Sequence, residues 1–203
     1  MAVSKTHPVE AIREAYAAGQ RLFGENRVQE MQAKATDLAA LPSLEMHLIG
    51  PLQNNKTAKA ADLFASVDTL DSAKTAARLD TAAAALGKVV PVLIEVKLSS
   101  EESKHGVAPE ALGSLLAELG AFNQLKPVGL MTVPPADATG EAARPYFRRL
   151  RELREVHCVR FPALKQLSMG MSGDFQVAIE EGSTTVRVGT AIFGQREPVR
   201  AET

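Results

Sequence analysis

A single cysteine, Cys158, stands in the 203 residues of the chain. One thiol cannot close an intrachain disulfide, so no cystine framework holds the fold, and the usage fits a reducing compartment. Cys158 also lies inside a helical pattern, which argues against a nucleophile's role. Charge of one sign is lacking too: 23 basic side chains face 24 acidic ones, for a formal net charge of -1. The densest basic run, Arg144, Arg148, Arg149, Arg151 and Arg154, is interleaved with Glu141, Glu152 and Glu155. That pattern reads as a solvated helix face, not a nucleic-acid stripe. No apolar run approaches the roughly 18 residues of a membrane span. The opening "MAVSKTHP" has no apolar core, so no secretory signal is expected. His7, His47, His105 and His157 show no metal-ligand spacing. These absences leave a cytoplasmic globular protein that binds neither nucleic acid nor membrane.

What is present is an alternation. Short Val-, Ile- and Leu-rich runs occur at 2–4, 21–23, 46–49, 65–67, 90–96, 128–131, 166–169 and 185–188. Between them lie patterns of helical period at 9–16, 28–38, 73–86, 109–119 and 141–156. Near-continuous apolar strands alternating with helices imply a parallel sheet covered on both faces. Eight such repeats predict a single-domain α/β protein of the (β/α)8 TIM-barrel type. An open doubly wound sheet is the alternative, but no Gly-x-Gly-x-x-Gly turn follows the first run. The domain is expected to span 1–203, with 134–140 as a long βα loop and 195–203 as a tail. The first strand is expected to be cut short at Met1.

In such barrels the active site forms at the C-terminal ends of the strands. The first run ends in Lys5, the second in Gly24-Glu25-Asn26, and the sixth in Met131-Thr132. The seventh ends in Gly170-Met171-Ser172, and the eighth carries Arg187-Val188-Gly189-Thr190. Ser172 precedes a short helical run, and a helix start behind a Gly/Ser turn attracts anions. Taken alone, Ser172 is an ordinary N-cap. With Gly189 and Thr190 at the neighbouring strand end, phosphate binding is the better reading. Lys5 alone is a snorkelling surface lysine, and Arg187 alone an outward cation paired with Glu180 or Glu181. If both point into the barrel mouth, they suit one cofactor. Lys5 then forms a Schiff base with an aldehyde, and Arg187 faces a ring nitrogen.

With these residues the sequence resembles the pyridoxal-phosphate homeostasis protein family. The resemblance covers nearly the whole chain. It is carried by the fragments at 2–6, 23–26, 47–56, 103–106, 129–131, 167–174 and 186–194, in that order. It implies a barrel like the N-terminal domain of alanine racemase, fold type III among proteins of pyridoxal 5'-phosphate (PLP). Lys5 matches the lysine that carries PLP as an internal aldimine, and Arg187 the arginine beside the pyridine nitrogen. Ser172, Gly189 and Thr190 match the phosphate cradle, with Ser168 close by. Asn26, His47 and Met131 match positions lining the ring pocket. Family members have a helix and most of strand 1 before the Ala-Val-Ser-Lys motif, so the shortened strand is expected to hold Lys5 less rigidly.

An arginine stays protonated, so a ring nitrogen facing it lacks a proton and is a poor electron sink. Racemase chemistry needs a tyrosine from an additional β-domain, for which the chain after its eighth run has no room. Tyr16 and Tyr146, the only tyrosines, lie in helical stretches. The expected function is therefore PLP homeostasis or carriage without robust catalysis, by a monomer or weak dimer. PLP and apo PLP-dependent enzymes are the expected partners. A weak amino-acid racemase and a barrel binding a phosphometabolite non-covalently are the alternatives.

Overall fold

Seven parallel strands follow one another in space in their sequence order, each separated from the next by at least one helical segment. In the computed structural model, which describes residues 1–99 and 105–194, these are β1 (Ala2–Val3), β2 (Leu22–Glu25), β3 (Glu45–Leu48), β4 (Ser66–Leu70), β5 (Val90–Glu95), β6 (Leu125–Met131) and β7 (Gln166–Ser168). The helices are α1 (Val9–Ala17), α2 (Val28–Leu38), α3 (Thr57–Leu63), α4 (Ala73–Ala85), α5 (Leu112–Leu119), α6 (Arg144–Cys158), α7 (Phe175–Glu180) and α8 (Thr190–Phe193). The tail at 195–203 and the motif residues Ser103 and Lys104 lie outside the described residues.

The expected eighth strand takes a different form. Thr185 bridges Ser168 and Val188 bridges Ala2, both in parallel, but no continuous strand joins them. Between the two bridges Arg187 N–H donates to the Gly170 carbonyl at 2.9 Å, past the end of β7, so the segment is held by separate contacts on its two sides. Val3 N–H donates to the Val188 carbonyl at 2.8 Å, so the sheet still curls back on its first strand.

Packing follows the sequence pattern. β4 is buried along its whole length, and Leu48, Ile94, Leu130 and Leu167 are fully enclosed between sheet and helices. Each such side chain contributes about 1.5–3 kcal/mol relative to exposure. The helices turn one stripe inward: Phe147, Leu150 and Leu153 on α6, and Ala76, Leu79 and Ala83 on α4. α4 starts where the Ser72 hydroxyl accepts from Thr75 N–H at 3.4 Å. On α2 the buried stripe is Val28, Met31, Lys34 and Leu38, with a lysine in an otherwise apolar row.

β4 runs further than the apolar run at 65–67 because polar residues continue it. Thr69 Oγ1 donates to the Gly50 carbonyl at 2.8 Å, and Ser66 Oγ to Asp68 Oδ1 at 2.7 Å. β6 likewise begins earlier than expected, and the register shift opposite Val92 and Leu93 accommodates Pro127.

Candidate functional site

Strand ends converge at the C-terminal mouth of the sheet. A cavity of about 390 Å³ opens there, and Lys5, Asn26, Ser172, Arg187, Gly189 and Thr190 all line it. Its apolar wall is made by Val3, Ile49, Val133 and Met171. His7 also lines it and stacks on Phe193, with ring centroids 4.8 Å apart.

Each polar residue is set by its element. Lys5 follows β1 on a turn closed by His7 N–H to the Ser4 carbonyl at 3.1 Å. Asn26 follows β2 and is packed from the side by Gly50. A Cβ on Gly50 would sit 2.2 Å from the Asn26 carbonyl oxygen, so only glycine allows that approach. Gly170, at φ +97°, turns the chain out of β7, and a Cβ there would meet the Ala178 Cβ at 2.5 Å. Asp174, not Ser172, occupies the N-cap position of α7, and its Oδ1 accepts from Met171 N–H at 2.5 Å. The Ser172 side chain is thereby left on the cavity wall.

Arg187 is buried, and the outward alternative fails. Nη1 donates to Ser168 Oγ and Nη2 to the Thr132 carbonyl, each at 2.8 Å. Burial works against its positive charge, while the carboxylates of Asp68, Glu95 and Asp174 favour it. Glu180 and Glu181 instead take Arg144, on the helical layer.

Three predicted site residues lie off the cavity wall. Ser168 is fully buried at the end of β7 and serves Arg187. Met131 is buried at the end of β6. His47 sits on β3 with Nδ1 3.1 Å from Asp68 Oδ2, in a polar set that continues to Ser66. No site role was assigned from the sequence to Val3, His7, Ile49, Val133, Met171, Gly173 or Gly194, all of which line the cavity. A signal for two of them was present: Val3, Lys5 and His7 recur at a spacing of two.

The arrangement gathers an amine, a fixed guanidinium and two hydroxyls around one concave space, a set suited to a small anionic molecule with a carbonyl group. Among the described residues no group of three His, Cys, Asp or Glu could hold a metal ion. Among the described residues no helix is long and apolar enough to cross a membrane.

The family model for the alanine racemase N-terminal domain matches residues 1–197. The pyridoxal phosphate homeostasis protein of Vibrio cholerae is 46% identical over 200 residues, spanning 97% of this chain and 85% of that protein. The chain belongs to the pyridoxal phosphate homeostasis protein family. PipY of Synechococcus elongatus, solved with PLP bound, superposes with a TM-score of 0.90 at 43% identity, covering 96% of this chain and 91% of that one. Alanine racemase of Clostridium difficile shares the barrel alone, at 15% identity and a TM-score of 0.76 over 98% of this chain and 52% of that one. Within the homeostasis family, then, this chain presents the expected fold with a strand-end cavity at its mouth.

Proposed function

We propose that this chain binds PLP in the strand-end cavity, with Lys5 as its covalent anchor, and serves PLP homeostasis or carriage in the cytoplasm. The carrying observation is that one cavity is lined by Lys5, Arg187, Ser172 and Thr190 together. Its volume of about 390 Å³ falls in the range of small-molecule sites. When bound, PLP supplies an aldehyde, with which a neutral primary amine condenses with loss of water, and a phosphate. Ser172, Gly189 and Thr190 would hold the phosphate, and Arg187 the ring nitrogen, with Asn26 beside them.

Arg187 also carries the argument for a carrier. Its guanidinium is held by Ser168 and Thr132 and keeps its proton, so it gives none to a ring nitrogen. A carboxylate in that position would do the opposite and favour catalysis. Tyr16 is engaged elsewhere, donating to the Pro42 carbonyl at 2.8 Å. The names of the relatives support homeostasis as the role, and the single thiol supports a reducing compartment. Apo PLP-dependent enzymes are the proposed recipients.

The test is borohydride reduction of the protein purified with PLP, followed by peptide mapping. A pyridoxyl group on Lys5, absent from a Lys5→Ala protein, is the expected result. The same adduct elsewhere in wild-type protein would overturn Lys5 as anchor. Robust interconversion of L- and D-alanine by the loaded protein would overturn the carrier reading.

A further inference from the structure

The two peptide groups that flank Lys5 are both held by one helix. The Ser4 carbonyl accepts from Lys34 Nζ at 3.2 Å, and Thr6 N–H donates to Glu30 Oε1. Glu30 and Lys34 lie one turn apart on α2 and are themselves paired at 3.1 Å. Glu25, fully buried on β2, forms the seat beneath them. Its Oε1 accepts from Ser4 Oγ at 2.7 Å and from Lys34 Nζ at 2.8 Å, while Oε2 is buried without a partner.

This grouping is poorly explained as a stability device. Lys34 takes a place in a buried apolar stripe, and buried ion pairs seldom stabilise more than a hydrophobic replacement. Thr6 adopts φ +67°, a left-handed conformation that a β-branched residue disfavours. Backbone strain of this kind persists where surrounding contacts over-determine it, and it clusters at functional sites. Here the bond from Glu30 holds Thr6, the bond from Lys34 holds Ser4, and Lys5 is the residue between them. Turning either peptide plane would swing the Lys5 side chain away from the cavity mouth.

We propose that the Glu30–Lys34 pair of α2, seated on Glu25 and Ser4, is the positioning device for Lys5. It fixes the direction from which the Lys5 amine enters the cavity. The inference rests on Lys5 as the PLP anchor. The four residues are positioning residues, since each reaches the cofactor site only through the backbone around Lys5.

The test uses the full chain carrying Glu30→Gln or Lys34→Met, each with and without Thr6→Gly. Three quantities are measured: PLP dissociation by absorbance titration, the visible band of the bound form, and acylation of Lys5 in PLP-free protein by mass spectrometry. Expected is at least a tenfold weaker PLP affinity in each variant, with a shifted band and an altered Lys5 acylation rate. A Glu30→Gln/Lys34→Met double variant is expected to be little worse than either single one, as befits one unit. Thr6→Gly removes the penalty on the left-handed turn, so it is expected to restore much of the affinity lost in Glu30→Gln. Glu30 is partly exposed, so that variant keeps the test decisive if Lys34→Met does not fold. Wild-type protein with a Lys5 adduct, beside variants unchanged within twofold in affinity and acylation, overturns the positioning role alone. Wild-type protein without a Lys5 adduct overturns the anchor, and this inference with it.

Discussion

Arg187 donates through Nη1 to the hydroxyl of Ser168 at 2.8 Å, and both side chains are buried in the barrel. Nη2 spends its bond on the Thr132 carbonyl, so the guanidinium plane is fixed at two points. A cation held this way balances Asp68, Glu95 and Asp174, and presents one face to the cavity.

Ser168→Ala leaves Nη1 without that acceptor inside the protein. A hydrogen bond to a charged group is worth about 1.5–3 kcal/mol, and a loss of that size is expected in urea unfolding. Arg187→Met is expected to be worse, near 3–5 kcal/mol, because three carboxylates lose their buried cation. The order of the two unfolding midpoints checks the assignment.

Gly50→Ala tests how Asn26 reaches the cavity. The added Cβ would lie 2.2 Å from a backbone oxygen, which cannot move without shifting the end of β2. A destabilisation of about 1–3 kcal/mol is expected from overpacking, together with weaker PLP binding by absorbance titration. Gly173→Ala is the control for stability. Nothing lies within 4 Å of its added Cβ, so its unfolding midpoint is expected to match wild type.

The strand–helix alternation was legible because parallel strands buried on both faces must be largely apolar, as β5 is. The convergence of Lys5, Asn26, Ser172, Arg187, Gly189 and Thr190 was legible because strand ends in a barrel meet at one mouth. The rest depends on which face each residue takes, and a single step along a strand reverses that. Ser168 is one such case: it turns to Arg187 rather than to the cavity. The polar half of β4 was hidden because Asp68 and Thr69 find partners only after folding, in His47, Ser66 and Gly50. Lys34 was hidden for a related reason. Its place in the buried period of α2 is visible, but its partners Glu25 and the Ser4 carbonyl are distant in sequence.

Glu181 sets the expected acid limb. It accepts from Arg144 at 3.1 Å and Arg148 at 3.2 Å, and Arg151 lies 3.3 Å away. Burial acts to raise its pKa, but the guanidinium groups prevail and hold it below the ordinary 4.5. A depressed native pKa means stability that is present above 4.5 and lost as pH falls through the native value. Glu181→Gln is therefore expected to be less stable than wild type at neutral pH, with the gap narrowing below 4.5. Urea midpoints taken from pH about 7 down to about 3 measure it.

Glu25 is expected to run with the opposite sign. Burial raises its pKa above 4.5, and the bonds from Lys34 and Ser4 offset that only in part. The native state then holds the proton more tightly than the unfolded chain. Ionisation of Glu25 draws stability down as pH rises from 4.5 through the raised value, and the loss is complete above it. Glu25→Gln removes this titration and leaves the Lys34 ammonium with Glu30 as its remaining carboxylate partner. The stability of wild type minus that of Glu25→Gln is expected to fall as pH rises above 4.5, whereas the same difference for Glu181→Gln rises as pH approaches 4.5 from below. One set of urea midpoints on the two variants and wild type reads both windows. Two differences that slope the same way would show that Glu25 titrates as an ordinary stabilised carboxylate, not as one held against its burial by Lys34.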